Sequence, residues 1–234
     1  MRELYSKLCT LVFSSIILLS IIAASIYTVA LIPQLMVLEW STEWSNGKVT
    51  LNVIPQGDNS NETGDFKLLP FKWKITANFW INPSNKYGLP ANSVIEAIIA
   101  AANTWDSQTS FQVFQYMGIT TRTAGKFDGY NVISWGSYRV GVIAVTYIWY
   151  IDDTIIETDT RLNTYYKWSL TGEPKKMDVQ NIMTHEFGHW CGLDDLYDDS
   201  DYWLTMYGYA SYGEIYKRTL GLGDILGLQA NYGE

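Results

Sequence analysis

The chain has 234 residues, 24 acidic against 16 basic side chains and a formal net charge of −8. Such an acidic balance argues against nucleic acid as a partner, because gripping a phosphate backbone needs a basic face. Two cysteines in all, Cys9 and Cys191, rule out a disulfide framework, and only two histidines are available for imidazole chemistry.

Arg2 and Lys7 precede an uncharged run from Leu8 to Leu38, most apolar over residues 8–32. Signal-peptide cores are about 7–15 residues long, whereas a spanning helix needs roughly 20. Ala23 and Ser25 permit cleavage after Ser25, and four serines (Ser14, Ser15, Ser20 and Ser25) weaken a membrane helix. Residues 1–32 are thus a signal peptide or a membrane anchor. With the basic residues staying inside, either places the rest of the chain outside the cytoplasm, secreted or anchored. Residues 33–69 read as a polar linker, with a short strand expected at Val49–Ile54 and a glycosylation acceptor at Asn61-Glu62-Thr63. Residues 70–234 suffice for one domain with a sizeable core and show no internal repeat.

Within that domain Lys72–Ile81 alternates as a strand. Ser93-Val94-Ile95-Glu96 reads as a capping box opening a helix over 93–106, with Val94, Ile95, Ile98, Ile99, Ala102 and Trp105 on its apolar side. Phe111–Tyr116 and Asn131–Trp135 are short β-forming runs, and Val140–Tyr150 with Thr154–Leu162 makes a strand pair around Asp152-Asp153. A further helix should start at an Asp178 cap and run to about Cys191. The element order gives an α+β fold, a twisted mixed sheet with this helix and a C-terminal one.

That helix carries Thr184-His185-Glu186-Phe187-Gly188-His189-Trp190-Cys191-Gly192-Leu193-Asp194-Asp195, which holds both histidines of the chain. Positions four apart on a helix lie about 40° from one another, so His185 and His189 can present two imidazoles to one zinc ion. Glu186 stands beside that ion as a base for a water molecule, without having to bind the metal. Gly192 can take the left-handed conformation that turns the chain back, and Asp195 would then arrive as a third ligand from outside the helix. Two imidazoles and a carboxylate leave the fourth position of a tetrahedral site free for water, as catalytic zinc sites do. Cys191 lies about 200° around the helix from His189 and should point into the core.

The pattern H-E-x-x-H-x-x-G-x-x-D resembles the metzincin metallopeptidases, in a snapalysin-like variant with aspartate where a third histidine is commoner. Leu204-Thr205-Met206-Tyr207 sits where metzincins carry a methionine-containing turn beneath the ligands, so Met206 is expected as support, together with Gly192. The tail Leu222–Gly233 and the helix ending near Trp105 are similar to the matrixin branch, over about residues 70–234. The chain departs from matrixins in having no histidines left for a structural zinc, no cysteine placed for a latency switch, and Gly208 where a proline usually follows the Met-Tyr pair.

The resemblance implies a zinc-dependent endopeptidase acting on protein or peptide substrates. Its catalytic base would be Glu186 and its zinc ligands His185, His189 and Asp195. An edge strand within residues 140–150 would pair with an extended substrate. Glu214 as a thermolysin-like third ligand is the competing assignment, and Asp194 is one residue short of the register. Asp194, Asp195, Asp198, Asp199 and Asp201 form an oxygen-rich stretch of the kind that binds calcium in matrixins, the alternative being a solvated acidic loop. Two other functions compete: a zinc amidase acting on cell-envelope material, and a non-catalytic, membrane-anchored surface binding protein on the same fold.

Overall fold

Two runs of β-branched and aromatic residues build the centre of the sheet. In the computed structural model, which describes residues 32–42 and 63–234, β5 (Val142–Ile151) and β6 (Thr154–Asn163) form an antiparallel hairpin closed at Asp152-Asp153. Asp152 makes the tight turn at φ 52°, a conformation that aspartate tolerates better than most residues. Around the hairpin stand β1 (Gln34–Thr42), β2 (Ala77–Ile81), β3 (Phe114–Ile119), β4 (Asn131–Gly136) and the short β9 (Tyr209–Ala210). They make one seven-stranded mixed sheet in the order β3-β2-β4-β6-β5-β1-β9. A two-residue pair, β7 (Trp168–Ser169) with β8 (Met177–Asp178), lies apart and leads into the helix that follows it.

Three helices complete the fold: α1 (Ala91–Asp106), α2 (Val179–Trp190) and α3 (Leu222–Tyr232). The core lies between the sheet and the pair α1 and α2, where Phe187 and Trp190 of α2 meet Phe79 and Phe114 from the strands. The Trp105 indole N–H donates to the Thr184 carbonyl at 2.7 Å, and the Trp190 indole N–H to the Thr160 hydroxyl at 2.8 Å. Both buried donors are thereby satisfied, and α2 is tied to α1 and to the sheet. The α+β fold expected from the element order is the one observed.

On β6, Glu157 and Asp159 gather the irregular segment before β4. Asp159 accepts the amides of Gly125, Lys126 and Val132, and Glu157 those of Asp128 and Gly129. Burial pushes the Asp159 carboxyl up to about 7 against the lowering effect of those donors.

Several boundaries differ from the sequence reading. The helix expected at 93–106 starts at Ala91, with Pro90 at its N-cap, so Ser93 lies inside the first turn and caps nothing. Proline's fixed φ, −61° here, with extended ψ halts the helix one residue upstream and leaves the capping box without a role. The strand expected over Lys72–Ile81 is regular only from Ala77. Lys72 instead bonds the hairpin turn through the Asp153 carbonyl and the Ile155 amide.

The larger correction concerns the stretch taken as a linker from residue 33. Gln34–Thr42 is a full strand, antiparallel to β5 from Gln34 against Tyr150 to Ser41 against Val142. The strand expected within 140–150 is therefore not an edge: β6 pairs with one side of it and β1 with the other. Residues 35–38 continue the apolar character of the run, and Pro33 is the local mark at the start of the strand. The N-terminal span, Cys9 and the strand expected at Val49–Ile54 lie outside the described residues, as does Asn61 of the glycosylation tripeptide.

Gly188 in α2 makes room for the sheet-distal floor of the helix. A Cβ there would stand 2.1 Å from the Met206 sulfur and 2.8 Å from the Trp105 ring. Alanine normally favours a helix by up to about 1 kcal/mol over glycine. Overpacking at a closed contact costs about 1–3 kcal/mol, so the clash should win. Gly188→Ala is expected to lower unfolding stability by about 1–2 kcal/mol in chemical denaturation of the zinc-free protein.

Candidate metal centre

The Asp178 side chain accepts the Asn181 amide at 3.0 Å and starts α2 as an N-cap, while the Arg218 guanidinium holds the same carboxylate from outside. Apart from Gln180 the helix is buried along its whole length, which is unusual and follows from its central position. At its far end Cys191 is the C-cap, and Gly192 takes φ 82°. A Cβ at Gly192 would lie 2.7 Å from the Phe71 carbonyl, so the turn needs glycine for space as well as for its dihedral. Cys191 is fully buried in the core, as expected.

After that turn the chain brings Asp195 back against the helix. His185 Nε2 is 3.2 Å and His189 Nε2 3.8 Å from Asp195 Oδ1, and donor atoms of the three residues all lie within 4.8 Å of one another. Ligands about 2.0–2.1 Å from a tetrahedral zinc stand about 3.3 Å apart, so the group has the right size. His185 Nδ1 bonds to the Thr205 carbonyl at 2.7 Å, and His189 Nδ1 to the Leu193 carbonyl at 2.9 Å. A carbonyl only accepts, so each Nδ1 must carry the proton, and each Nε2 then presents a lone pair. Burial pushes the His185 imidazole down to about 4, which keeps it neutral and free to bind a metal.

The decisive feature is what these atoms lack. His185 Nε2, His189 Nε2, Asp195 Oδ1 and Glu186 Oε1 are all buried without a hydrogen-bond partner. Buried polar atoms are satisfied in the great majority of cases, and the orphans of His185, His189 and Asp195, gathered at one place, call for a cation. Burial opposes charge on Asp195, but neighbouring His189 and His185, with the Tyr197 hydroxyl, hold its carboxyl below the ordinary range. Tyr197 donates to Oδ2 at 3.2 Å and leaves Oδ1 turned to the imidazoles. Glu186 has one oxygen fixed by the Thr146 hydroxyl at 2.5 Å, and burial pushes its carboxyl up to about 7.

The competing carboxylates are engaged elsewhere. Glu214 accepts from Asn181 and from the Ser211 amide, and pairs with buried Lys217 at 3.2 Å. Asp194 pairs with Lys67 at 2.6 Å, Asp198 accepts from Ser200, and Asp201 accepts from Thr63. The acidic stretch is therefore spread over separate local contacts. Among the described residues, His185, His189 and Asp195 are the one group arranged to hold a metal.

A family model for matrixins matches residues 72–233. The chain belongs to the matrixin family. Matrixins are zinc-dependent metalloproteases, and the structure brings together a His/His/Asp group of the size a metal needs. No curated protein matches the sequence.

Matrixin membership also gives sense to the segment around Met206. That side chain is buried under α2 against Gly188, and the Thr205 carbonyl one residue earlier orients His185. The turn itself is pinned by Asp224 in the first turn of α3, whose buried carboxylate accepts the amides of Thr205 (2.7 Å), Met206 (3.0 Å) and Gly221 (2.8 Å). Asp224 lies in the tail read from the sequence as the last helix, where nothing gave it a task of its own. An acidic residue three places after a glycine that opens a helix was the available signal. Thr146, Tyr197 and Trp40, whose ring stacks on His185 at 3.7 Å, carried none.

Replacing Asp224 by asparagine leaves one acceptor oxygen for three amides and sets an NH2 against an N–H. Hydrogen bonds to a charged group contribute about 1.5–3 kcal/mol each, so a stability loss of about 3 kcal/mol or more is expected. Because the displaced turn carries the partner of His185, zinc affinity should also fall by about 10–100-fold. Isothermal titration of the folded Asp224→Asn protein with zinc checks this.

Proposed function

We propose that this matrixin is a zinc-dependent endopeptidase, with zinc held by His185, His189 and Asp195 and with Glu186 as the proton carrier. The observation behind it is the gathering of four unpartnered buried atoms, three of them suited to a metal and the fourth a carboxylate oxygen. When bound, zinc supplies Lewis acidity toward a peptide carbonyl and an attacking water. Glu186 takes the water's proton on Oε1, the oxygen that Thr146 leaves free, and passes it to the departing amine. A carboxyl raised to about 7 can take up and release a proton near neutral pH, as this double role requires. An extended peptide would pair with β5 on the side away from β6, the place that β1 holds in this structure. The proposal includes a working place outside the cytoplasm, secreted or anchored, supported by Arg2 and Lys7 ahead of the long apolar run. The carboxylate of Glu186 beside the metal group favours hydrolysis over binding alone.

Three substitutions separate the roles. Glu186→Gln should keep one zinc per chain while peptide hydrolysis falls by about 10²–10⁴-fold or more, since the residue acts on a proton and not on the metal. Loss of zinc from folded Glu186→Gln protein would contradict the assignment. Asp195→Ala should lose zinc affinity by more than about 100-fold, beyond what outer partners of ligands contribute. Asp194→Ala should hold zinc almost as the parent does, because its carboxylate serves Lys67. Digestion of a peptide library with and without a chelator, alongside metal analysis of each variant, is the measurement for all three.

A further inference from the structure

The two faces of the sheet meet different surroundings. Met36, Leu38 and Trp40 of β1 and Thr146 of β5 turn toward the helices, and the residues alternating with them turn the other way. On that outer side Leu35 stands opposite Trp149 and Val37 opposite Tyr147. The Tyr147 and Trp149 rings stack with centroids 6.1 Å apart, and Phe127, from the segment before β4, lies 5.9 Å from Trp149. These five side chains make one connected surface. Leu35, Val37 and Phe127 are 51%, 40% and 53% exposed on it. Single exposed apolar residues are ordinary, whereas a joined group of them marks a contact surface.

Charge along this face is already compensated. Glu39 accepts from the Tyr138 hydroxyl and pairs with Arg139, and Asp128 pairs with Arg122 at 2.8 Å. Glu157 and Asp159 are each 1% exposed and spend their oxygens on loop amides. The Arg161 guanidinium bonds the Ala124 carbonyl and lies 5.3 Å from the Tyr147 ring centroid. Lys126, next to Phe127, is exposed. Tyrosine and tryptophan beside aliphatic side chains, with charges paired or at the margin, are the composition that settles at a lipid–water interface.

The chain leading into this face says what covers it. The apolar run over residues 8–32 ends with only Pro33 between it and Gln34, the first residue of β1. A domain joined to a membrane segment by so short a connection meets the lipid surface at high effective concentration, so a face of five side chains suffices to hold it there.

We propose that the outer face of the sheet, formed by Leu35, Val37, Tyr147, Trp149 and Phe127, rests on the surface of the bilayer that holds the apolar run. The proposal rests on the anchored form of the location given above and not on the reaction. Seated in this way, the sheet lies between the lipid and the metal centre, because Thr146, which bonds Glu186, points to the opposite side of β5 from Tyr147. The domain would then have one fixed orientation, with its metal centre turned away from the membrane.

The test uses the full chain with Cys9→Ser, leaving Cys191 sealed in the core. A single reporter cysteine replaces Phe127 or, on the solvent side of α1, the exposed Glu96, and carries an environment-sensitive fluorophore. Each protein is reconstituted into phosphatidylcholine vesicles containing a lipid with a nitroxide high on its acyl chain. Quenching at position 127 should exceed that at position 96 by at least about threefold, with blue-shifted emission. Leu35→Ser with Val37→Ser should bring the two positions closer together. Equal quenching at both positions in membrane-inserted protein would overturn the lipid-facing surface alone. A full chain that stays out of the vesicles would remove the anchored reading and the surface with it. Blue-shifted emission at 127 that the nitroxide lipid does not reach would assign the face to a protein, a second copy included, and overturn the proposal. Should the Phe127 variant fail to fold, Lys126→Cys supplies the reporter, because that side chain is exposed.

Discussion

Four polar atoms without partners, kept out of water at one point, set the terms for the rest of this structure. Each unsatisfied buried group costs on the order of 1–3 kcal/mol, so bringing His185, Glu186, His189 and Asp195 together is costly by itself. It persists because every one of these side chains is held through its other polar atom. The imidazoles are held by two main-chain carbonyls, Glu186 by the Thr146 hydroxyl and Asp195 by Tyr197. These partners come from β5, the chain after Gly192 and the Met206 turn, so distant parts of the fold converge to keep lone pairs aimed at one spot. Asp224 extends the same logic outward, fixing the turn that fixes His185. A metal would then be received by groups whose orientation is already established.

The parts legible in the sequence were those whose signal is local. The helix with His185 and His189 could be read from spacing, an Asp178 cap and Gly192, and all three features stand in the structure. The β5–β6 hairpin could be read from two β-rich runs around Asp152-Asp153. The misread features depend on partners far along the chain. Residues 34–42 look like the end of an apolar run followed by a linker, and only β5, more than a hundred residues later, makes them a strand. Ser93 and Glu96 satisfy a capping pattern, yet Pro90 ends the matter three residues earlier through its own ring. Thr146 sits in a strand of apolar residues, and nothing near it in sequence announces a contact with Glu186.

The place of β1 changes how the sheet is understood. Without it the sheet ends at β5 with an unpaired row of N–H and C=O groups beside the metal helix. Exposed edges of this kind invite pairing with any extended chain, and proteins usually cover or blunt them. β1 covers that edge over eight paired residues, with Met36 and Leu38 packed against the core and Trp40 stacked on His185. No thiol is involved, and the only cysteine among the described residues, Cys191, is sealed in the core.

Two departures from the usual matrixin pattern, aspartate for the third histidine and glycine for the proline after Met-Tyr, look independent in the sequence. In space they meet at Tyr197. A carboxylate has two oxygens where one is wanted, and the spare one needs a donor if the other is to stay turned toward the imidazoles. Tyr197 provides that donor to Asp195 Oδ2, with its ring lying over Gly208 so closely that a Cβ there would be 2.3 Å from it. A proline at 208 would expel the ring and with it the bond to Asp195. Asp195, Tyr197 and Gly208 are thus joined through one side chain, whose bond to Asp195 depends on the space left at Gly208.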